Sequence, residues 1–396
     1  MLYQLAGRCV LLLTISVNIV FAEVQDALQK RLKKDVTALA GPKMAGRGNG
    51  QDGLENAIKY LVDNYKKMGL KAQIQRFPYR SRAPQNQATP DGYLSNVIVT
   101  IKGKDPELNS EYIAIGAHLD HLGSRTPSGS TSPVIFFGAD DNASGNAAIM
   151  ELVRSYCKNP PNRSLVFIHF AGEEWGLLGS RHWVDNPTVD INSVRFMVNL
   201  DMIGRLGHDN APMTFTAMGM GADAIEKAKS MAPEGLEIEA DRGSSIFAGA
   251  SDHAPFVTKN IPTCFLFTGI HPDYHRPTDT VDKINWSGLT TITQFAKTLV
   301  TEYASAKDTP LFQPMGRLEL FCDREPTLAR VVFVNQGGNA ESAGIARGDV
   351  LTFINEHKIG SQKDLGRVLE LFNRGDTIKL KWERDGVSME REIVLK

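Results

Sequence analysis

The sequence predicts an α/β protein: a three-layer α/β/α sandwich around a mixed sheet, followed by a small C-terminal α+β domain. Apolar strand-like runs alternate with helical segments through most of the chain, which is typical of a largely parallel sheet covered on both faces. Acidic and histidine residues follow several of these runs, at the positions where strands should end. Beyond residue 314 the segments become shorter and richer in strands.

The helices and strands of the larger domain can be assigned in chain order from periodicity and stop signals such as Gly69 and Pro160. We predict helices at Val24–Leu39, Leu54–Met68, Ala143–Tyr156, Gly176–Val184 and Trp286–Ala304. We predict strands at Ala72–Phe77, Tyr93–Ile101, Tyr112–Ala117, Leu165–Phe170, Phe196–Asp201, Met213–Met218 and Thr263–Phe267.

The C-terminal part has a different pattern. Ser305–Pro314 is polar and contains proline, so we predict a first domain over 23–306, a linker over 307–314 and a second domain over 315–396. In the second domain we predict helices at Ala340–Ala343 and Lys363–Asn373. Its predicted strands are Arg330–Val334, Val350–Ile354, Thr377–Trp382 and Glu390–Val394.

Composition limits the functional classes. The chain has 396 residues, of which 42% are hydrophobic and 22% charged, and this supports two well-packed soluble domains. A net charge of −1 gives no reason to expect nucleic-acid binding. After the N-terminal region no apolar run is long enough to cross a bilayer, so we expect no membrane anchor.

The first residues have the features of a secretory signal peptide. Arg8 precedes the apolar stretch Cys9–Val20, and Ala22 fits the small-residue rule for cleavage. We therefore predict a signal peptide over 1–22, a mature chain from about Glu23, and export to the periplasm or the medium. Three widely spaced cysteines remain, and we expect mostly free thiols, with one disulfide left open: Cys157, Cys264 and Cys322.

Five candidate metal ligands lie in short strings that follow apolar runs. Histidine nitrogen and carboxylate oxygen are ligands that zinc accepts, and a pair of adjacent metals needs one bridging carboxylate. The absence of cysteine from the set disfavours a structural zinc site, and its acidic character favours a co-catalytic pair. The candidate ligands are His118, Asp141, Glu174, Asp201 and His275.

Neighbouring residues in the same strings suggest supporting roles. Glu173, beside Glu174, is placed to act as a general base, and Asp120 is placed to orient an imidazole by a hydrogen bond. For the string Ser251-Asp252-His253 two interpretations stay open: Asp252 and His253 line the cavity, or Ser251-Asp252 forms the N-cap of a helix. We interpret four other histidines as ordinary structural residues: His121, His169, His182 and His208.

These strings, together with Leu39–Arg47, resemble peptidase family M28, the co-catalytic zinc aminopeptidases, from about Val36 to Ala306. The resemblance implies two zinc ions, bridged by Asp141, and peptide substrates with a free N-terminus. One zinc each would be bound by Glu174 and Asp201, and the two histidines would complete the set. It further implies general-base catalysis by Glu173, orientation of the first histidine by Asp120, and stabilisation of the tetrahedral intermediate by Tyr274.

The C-terminal domain resembles a PDZ domain, through the string Asn339–Leu351 and through Met315–Leu320 at the place of the carboxylate-binding loop. The family usually has glycine where this chain has Glu319. Two interpretations stay open: the domain binds an extended peptide or protein ligand by strand addition, or it is a structural cap.

Other functions on the same scaffold remain open. A glutaminyl cyclase would resemble a one-zinc version, whereas intact His118 and acidic Asp201 favour two metals and hydrolysis. A catalytically silent binding protein would be expected to have lost ligands. A carboxypeptidase acting on acidic dipeptides would need a basic pocket, for which the candidates are Arg181, Arg205 and Arg242.

Overall fold

A computed structural model describes residues 23–79, 92–243, 248–323 and 328–396. The predicted signal peptide, 1–22, lies outside the described residues. Residues 23–39 are helical (α1). The further helices are α2 (Asp52–Lys67), α3 (Gly145–Tyr156), α4 (Leu178–Asp185), α5 (Ala222–Ser230), α6 (Ala254–Val257), α7 (Trp286–Ser305), α8 (Asn339–Ala343) and α9 (Gln362–Leu369).

The larger unit is built on an eight-stranded mixed sheet. Its strands are β1 (Gln73–Tyr79), β2 (Gly92–Ile101), β3 (Tyr112–His118), β6 (Ser164–Phe170), β7 (Val194–Leu200), β8 (Met213–Thr216), β9 (Ile238–Asp241) and β10 (Thr263–Phe267), in the spatial order β1-β2-β6-β3-β7-β10-β8-β9. The central strands β6, β3, β7 and β10 run parallel, and β1 and β2 pair antiparallel beside them. Two short strands, β4 (Ser124–Arg125) and β5 (Val134–Ile135), form a separate ribbon.

Helices cover both faces of this sheet because its central strands are apolar on both sides. In β6, Leu165 and Phe167 belong to the core shared with α1, α2, α3 and α7, whereas Val166 and Ile168 belong to the core shared with α4 and α6. Successive side chains of a strand point to opposite faces, so a continuous apolar run fills both cores. The predicted three-layer α/β/α sandwich is confirmed.

The C-terminal unit has its own sheet and core. Its strands are β11 (Leu320–Cys322), β12 (Ala329–Val334), β13 (Val350–Ile354), β14 (His357–Lys358), β15 (Thr377–Arg384) and β16 (Val387–Val394). They pair in the order β11-β12-β13-β15-β16, with β14 beside β13. Leu365 from α9 packs with Trp382 and Leu351 in this core. The small α+β domain is therefore confirmed as well.

The segment between the two units is bound along its course. Arg163 of the larger unit donates hydrogen bonds to the carbonyls of Ala306 and Lys307. The amide of Gln313 donates to the carbonyl of Gly219 at 2.8 Å. Among the described helices, none is both long and apolar enough to cross a membrane.

Candidate metal centre

The topology of the sheet brings the candidate ligands to one edge. β3 ends at His118, β7 ends immediately before Asp201, and Glu173 and Glu174 follow three and four residues after the end of β6. These strands are parallel neighbours, so their carboxyl ends meet at the same edge of the sheet. Asp141 enters from the loop that precedes α3.

The side chains form two groups that share Asp141. In each group one potential ligand atom per residue lies within 4.8 Å of every other. One group contains His118, Asp141 and Asp201; the other contains His121, Asp141, Glu174 and His275. A carboxylate common to two such groups is what a bridged pair of metal ions requires.

In the first group, His118 Nε2 lies 3.2 Å from Asp141 Oδ1 and 3.1 Å from Asp201 Oδ1. Asp201 is held from behind, because the Ser251 hydroxyl donates to Asp201 Oδ2 at 2.7 Å. The Ser251 oxygen in turn accepts a hydrogen bond from Asn199. Ser251 therefore orients a candidate ligand, and the alternative that it caps a helix is wrong, since α6 begins after His253 without a side-chain cap.

In the second group, His275 Nε2 lies 3.3 Å from Asp141 Oδ2 and 3.1 Å from Glu174 Oε2. His121 Nδ1 approaches the other oxygen of Glu174, at 2.9 Å. The ring of Tyr274 stacks on that of His275, with centroids 3.8 Å apart. All the predicted ligands and Tyr274 thus lie in one contiguous region.

The structure places His121, which the sequence does not distinguish from an ordinary histidine, in the second group. Its ring lies between the candidate ligands and is buried. The other three set-aside histidines lie outside both groups: His169 contacts Tyr65, His182 stacks on Phe77, and His208 lies beside His271. Its position in the sequence could have indicated this location, because His121 lies only three residues after His118, the last residue of β3.

Both the main chain and the carboxylate of Asp120 lie near the ring of His118. The carboxylate lies 4.0 Å from His118 Nδ1, and the main-chain carbonyl of Asp120 contacts that nitrogen at 3.0 Å. The carboxylate accepts hydrogen bonds from the amides of Glu173 and Glu174 and from the side chain of Asn49. The main chain of Asp120 thus contacts the His118 ring, while its carboxylate holds the loop that carries Glu173 and Glu174.

Two buried residues missed by the sequence analysis hold the backbone of the site. The carboxylate of Asp279 accepts hydrogen bonds from the amides of Asp140 and Asp141. The guanidinium of Arg47 is fully buried and donates to five carbonyls, those of Leu39, Leu119, Phe137, Gly138 and Asp141. Arg47 thereby ties the loop after β3 to the loop that carries Asp141.

The two adjacent glutamates have opposite pKa shifts. Burial raises the pKa of Glu173 well above its ordinary value. The charge of His118 lowers this pKa, whereas the negative charges of Asp252 and Asp201 raise it further. Burial also acts on Glu174, but its hydrogen bonds to His121 and to His275 lower the pKa of that carboxyl. A carboxyl with a raised pKa is suited to accept and return a proton.

The imidazoles are shifted by the carboxylates around them. Burial disfavours the charged form of His275, yet the adjacent carboxylates of Asp141 and Glu174 raise its pKa to about 10. Burial also opposes the charge of His118, while Asp201 and Glu173 raise its pKa well above the ordinary value. Ligation of a metal requires neutral imidazole, so metal binding at this site would release protons.

The donor set fits zinc. It combines imidazole nitrogen with carboxylate oxygen, and among the described residues of the site it includes no cysteine. Asp141 Oδ2 is buried between two imidazole nitrogens, at 3.3 and 3.5 Å, yet has no hydrogen-bond partner within the described chain. A cation between these atoms would satisfy them together.

Two of the three arginines considered for a carboxylate pocket, Arg205 and Arg242, bind other residues. Arg242 donates to the carbonyls of Met220, Gln313 and Glu370, among others. Arg205 pairs with Asp273 at 3.1 Å. Arg181 is an exposed residue of α4. Arg242 in particular is not available as a carboxylate receptor.

Two family models match the sequence: peptidase family M28 over residues 96–300 and PDZ domain over residues 317–395. Leupeptin-inactivating enzyme 1 of Streptomyces exfoliatus is 29% identical over 264 residues, covering 64% of this chain and 50% of the relative. Aminopeptidase YwaD of Bacillus subtilis strain 168 is 30% identical over 155 residues, covering 37% of this chain and 34% of the relative. The chain thus spans half or less of the length of these relatives.

Solved structures share the fold. The aminopeptidase from Aneurinibacillus sp. strain AM-1 superposes with a TM-score of 0.57 at 17% identity, covering 72% of this chain and 96% of that chain. LapA aminopeptidase of Legionella pneumophila superposes with a TM-score of 0.54 at 24% identity, covering 72% of this chain and 73% of that chain. Glutaminyl cyclase of Porphyromonas gingivalis superposes with a TM-score of 0.55 at 18% identity, covering 69% of this chain and 98% of that chain. At these identities the likeness concerns the fold alone.

Proposed function

This chain belongs to peptidase family M28, and on that premise we propose that it is a zinc-dependent aminopeptidase acting on peptides with a free N-terminus. The observation that carries the proposal is the pair of ligand groups sharing Asp141. The relatives named as aminopeptidases among the curated sequences, such as YwaD, support the activity. A silent binding protein is disfavoured, because every expected ligand is present and correctly clustered.

Each residue of the site has a role in this proposal. Bound zinc would acidify a water molecule and polarise the scissile carbonyl. The carboxylate of Glu173 takes a proton from the attacking water and delivers it to the leaving amine. The Tyr274 hydroxyl donates a hydrogen bond to the oxyanion, a role supported by its position beside His275. Asp120 holds the amides of both glutamates in place.

We further propose two zinc ions, bridged by Asp141. Replacement of Asp141 by alanine should then weaken both metal positions, since its two oxygens face different groups. Metal analysis after gel filtration should show two zinc ions per wild-type chain and fewer than one per variant chain. A variant that still holds two tightly bound ions would contradict the bridge.

A glutaminyl cyclase is the second candidate, because the glutaminyl cyclase of Porphyromonas gingivalis shares the fold. The acidic Asp201 and a second ligand group favour hydrolysis with two metals. The dipeptide carboxypeptidase has less support, since Arg242 donates its hydrogen bonds to main-chain and amide oxygens that surround it.

The decisive experiment is a panel of aminoacyl chromogenic substrates together with a glutaminyl peptide, assayed with and without a chelator. Chelator-sensitive release of N-terminal residues supports the aminopeptidase. Formation of pyroglutamate, with one zinc per chain, would replace it by the cyclase. The same panel identifies the preferred N-terminal residue.

We also propose that the protein is exported, on the basis of the predicted signal peptide over 1–22. N-terminal sequencing of the protein from periplasm and medium tests this directly. A mature N-terminus near Glu23 supports export, and an intact Met1 on a cytoplasmic protein would exclude it.

A further inference from the structure

His121 is placed like a ligand of the second metal position. Its ring is fully buried and its Nδ1 lies 2.9 Å from Glu174 Oε1 and 3.5 Å from Asp141 Oδ2. The ring also lies edge-on to that of His275, with centroids 5.8 Å apart. One atom of His121 therefore faces the same small space as the three expected ligands.

Both imidazoles approach the same oxygen of Asp141 at distances close to those between ligand atoms of one zinc ion. Zinc bonds to nitrogen and oxygen are about 2.0–2.2 Å, so neighbouring ligand atoms in a tetrahedron are about 3.3–3.5 Å apart. His121 Nδ1 and His275 Nε2 lie 3.5 and 3.3 Å from Asp141 Oδ2, and each also faces one oxygen of Glu174, Oε1 at 2.9 Å and Oε2 at 3.1 Å respectively. The group at His118 provides only three residues at comparable distances.

The backbone fixes the His121 ring in this position. Its amide donates to the carbonyl of Arg47 at 3.1 Å, which pins the loop after β3. Gly138, at φ +58°, packs directly on the ring: a Cβ atom at that position would lie 2.6 Å from His121 Cδ2. Any side chain at position 138 would therefore displace the ring.

Hydrogen bonds within the described parts of the chain do not satisfy all the buried polar atoms of this group. Asp141 Oδ2, which faces both His121 and His275, has no hydrogen-bond partner in the described parts of the chain. A neutral His121 can donate from Nδ1 only to one of its two carboxylate neighbours. A metal ion at the centre would contact all four side chains at once.

We propose that His121 Nδ1 is a fourth protein ligand of the metal held by Asp141, Glu174 and His275. This metal position would then have four protein ligands, one more than the position at His118, Asp141 and Asp201, which would keep a place for water or substrate. The inference rests on the proposed zinc centre and makes its two positions unequal.

Replacement of His121 by asparagine separates ligation from hydrogen bonding. The asparagine amide places a donor near the position of Nδ1 and can keep the hydrogen bond to Glu174, but it does not provide an imidazole ligand. We expect one of two zinc dissociation constants, measured by chelator competition on the apoprotein, to rise at least about tenfold while the other stays within twofold. Substitution of cobalt should show a changed absorption spectrum for one ion only.

His182→Asn is the matched control, because His182 lies outside both groups and stacks on Phe77. Its two zinc constants should equal those of the wild type. Equal constants for His121→Asn would overturn the proposal and leave His121 as a hydrogen-bond donor to Glu174. A wild type that binds no zinc would instead overturn the proposed function itself.

A wild-type crystal grown with zinc tests the same inference without a variant, in case His121→Asn does not fold. We expect a distance of about 2.0–2.1 Å between His121 Nδ1 and the metal. A separation beyond about 3 Å with zinc bound at Glu174 would exclude ligation.

Discussion

At the scale of single residues, adjacent Glu173 and Glu174 acquire different chemistry from their contacts. Both amides are held by the Asp120 carboxylate, which fixes the direction of each side chain. Glu174 then meets two imidazoles, which lower its pKa, while burial raises the pKa of Glu173. One carboxylate is thus stabilised as an anion, as a ligand must be, and its neighbour is poised for proton transfer.

Replacement of Glu173 by glutamine should therefore lower kcat by about 10²–10⁴-fold, the usual contribution of a general base. Zinc content should stay at the wild-type value, because the two ligand groups do not include Glu173. Steady-state kinetics and metal analysis on the same preparation measure both. The control, Glu174→Gln, should lose zinc as well as activity, and full activity in Glu173→Gln would remove its role as base.

The candidate ligands could be predicted because they lie in short acidic and histidine-containing strings, several of which follow strand-like apolar runs. His118 and Asp201 need only the end of their own strand to be placed. Arg47 and Asp279 could not be predicted, since most of their hydrogen bonds join them to backbone atoms 72 to 139 positions away. His121 was missed because its contact with Glu174, 53 positions away, forms only in the folded structure.

At the scale of elements, a buried hydrogen-bonded chain connects α2, β6 and α3 to the metal centre. The Tyr65 hydroxyl contacts His169 Nε2, and His169 Nδ1 contacts Asn146 Oδ1, both at 2.5 Å. The Asn146 amide donates to the carbonyls of His118 and Asn142. The packing of the helices on β6 therefore fixes the backbone of a candidate ligand.

The buried His169 in this series of hydrogen bonds predicts a pH dependence of the free energy of unfolding. Burial lowers the pKa of His169 to about 3, against about 6.5 in the unfolded chain. A depressed folded pKa gives stability that is complete above about pH 6.5 and is lost as the pH falls towards 3. In His169→Gln that loss should be absent. Between pH 6.5 and 5 the wild-type free energy of unfolding should fall by about 2 kcal/mol relative to the variant.

Urea unfolding of both apoproteins at several pH values measures this difference. The apo form is needed, because protons also compete with metal at His118 and its neighbours. Parallel pH profiles for the two proteins would show that His169 titrates normally in the fold.

Elements with strong periodicity were predicted closely, and weakly patterned ones were missed. β6 and α7 match their predicted bounds within one residue. α5 was missed because only two of its side chains are buried, and β9 because it is a four-residue edge strand with no buried residue. α9 ends at Leu369, short of the predicted Asn373, where the chain turns towards Arg242.

At the scale of the whole molecule, Arg242 joins the two units. From the end of β9 its guanidinium donates to the carbonyls of Glu370 and Phe372, just after α9, and to Asn373 Oδ1 at 2.6 Å. α9 and β11 line a cavity of about 520 Å³ in the PDZ unit. The buried guanidinium of Arg242 therefore positions the PDZ unit. The sequence could not reveal this arrangement, because the acceptors of its hydrogen bonds are mostly main-chain carbonyls.

Arg242→Ala should release the PDZ unit without emptying the metal site. The variant loses hydrogen bonds from a charged donor to both units and to Gln313, which should weaken their association by on the order of 3 kcal/mol. We expect faster limited proteolysis within 307–314, separate thermal transitions for the two units, and unchanged zinc content. Arg195→Ala, which removes a half-exposed ion pair with Glu111, is the control and should behave as wild type. A single unchanged transition in Arg242→Ala would mean that other contacts hold the units together, and loss of zinc would mean that the PDZ unit supports the centre itself.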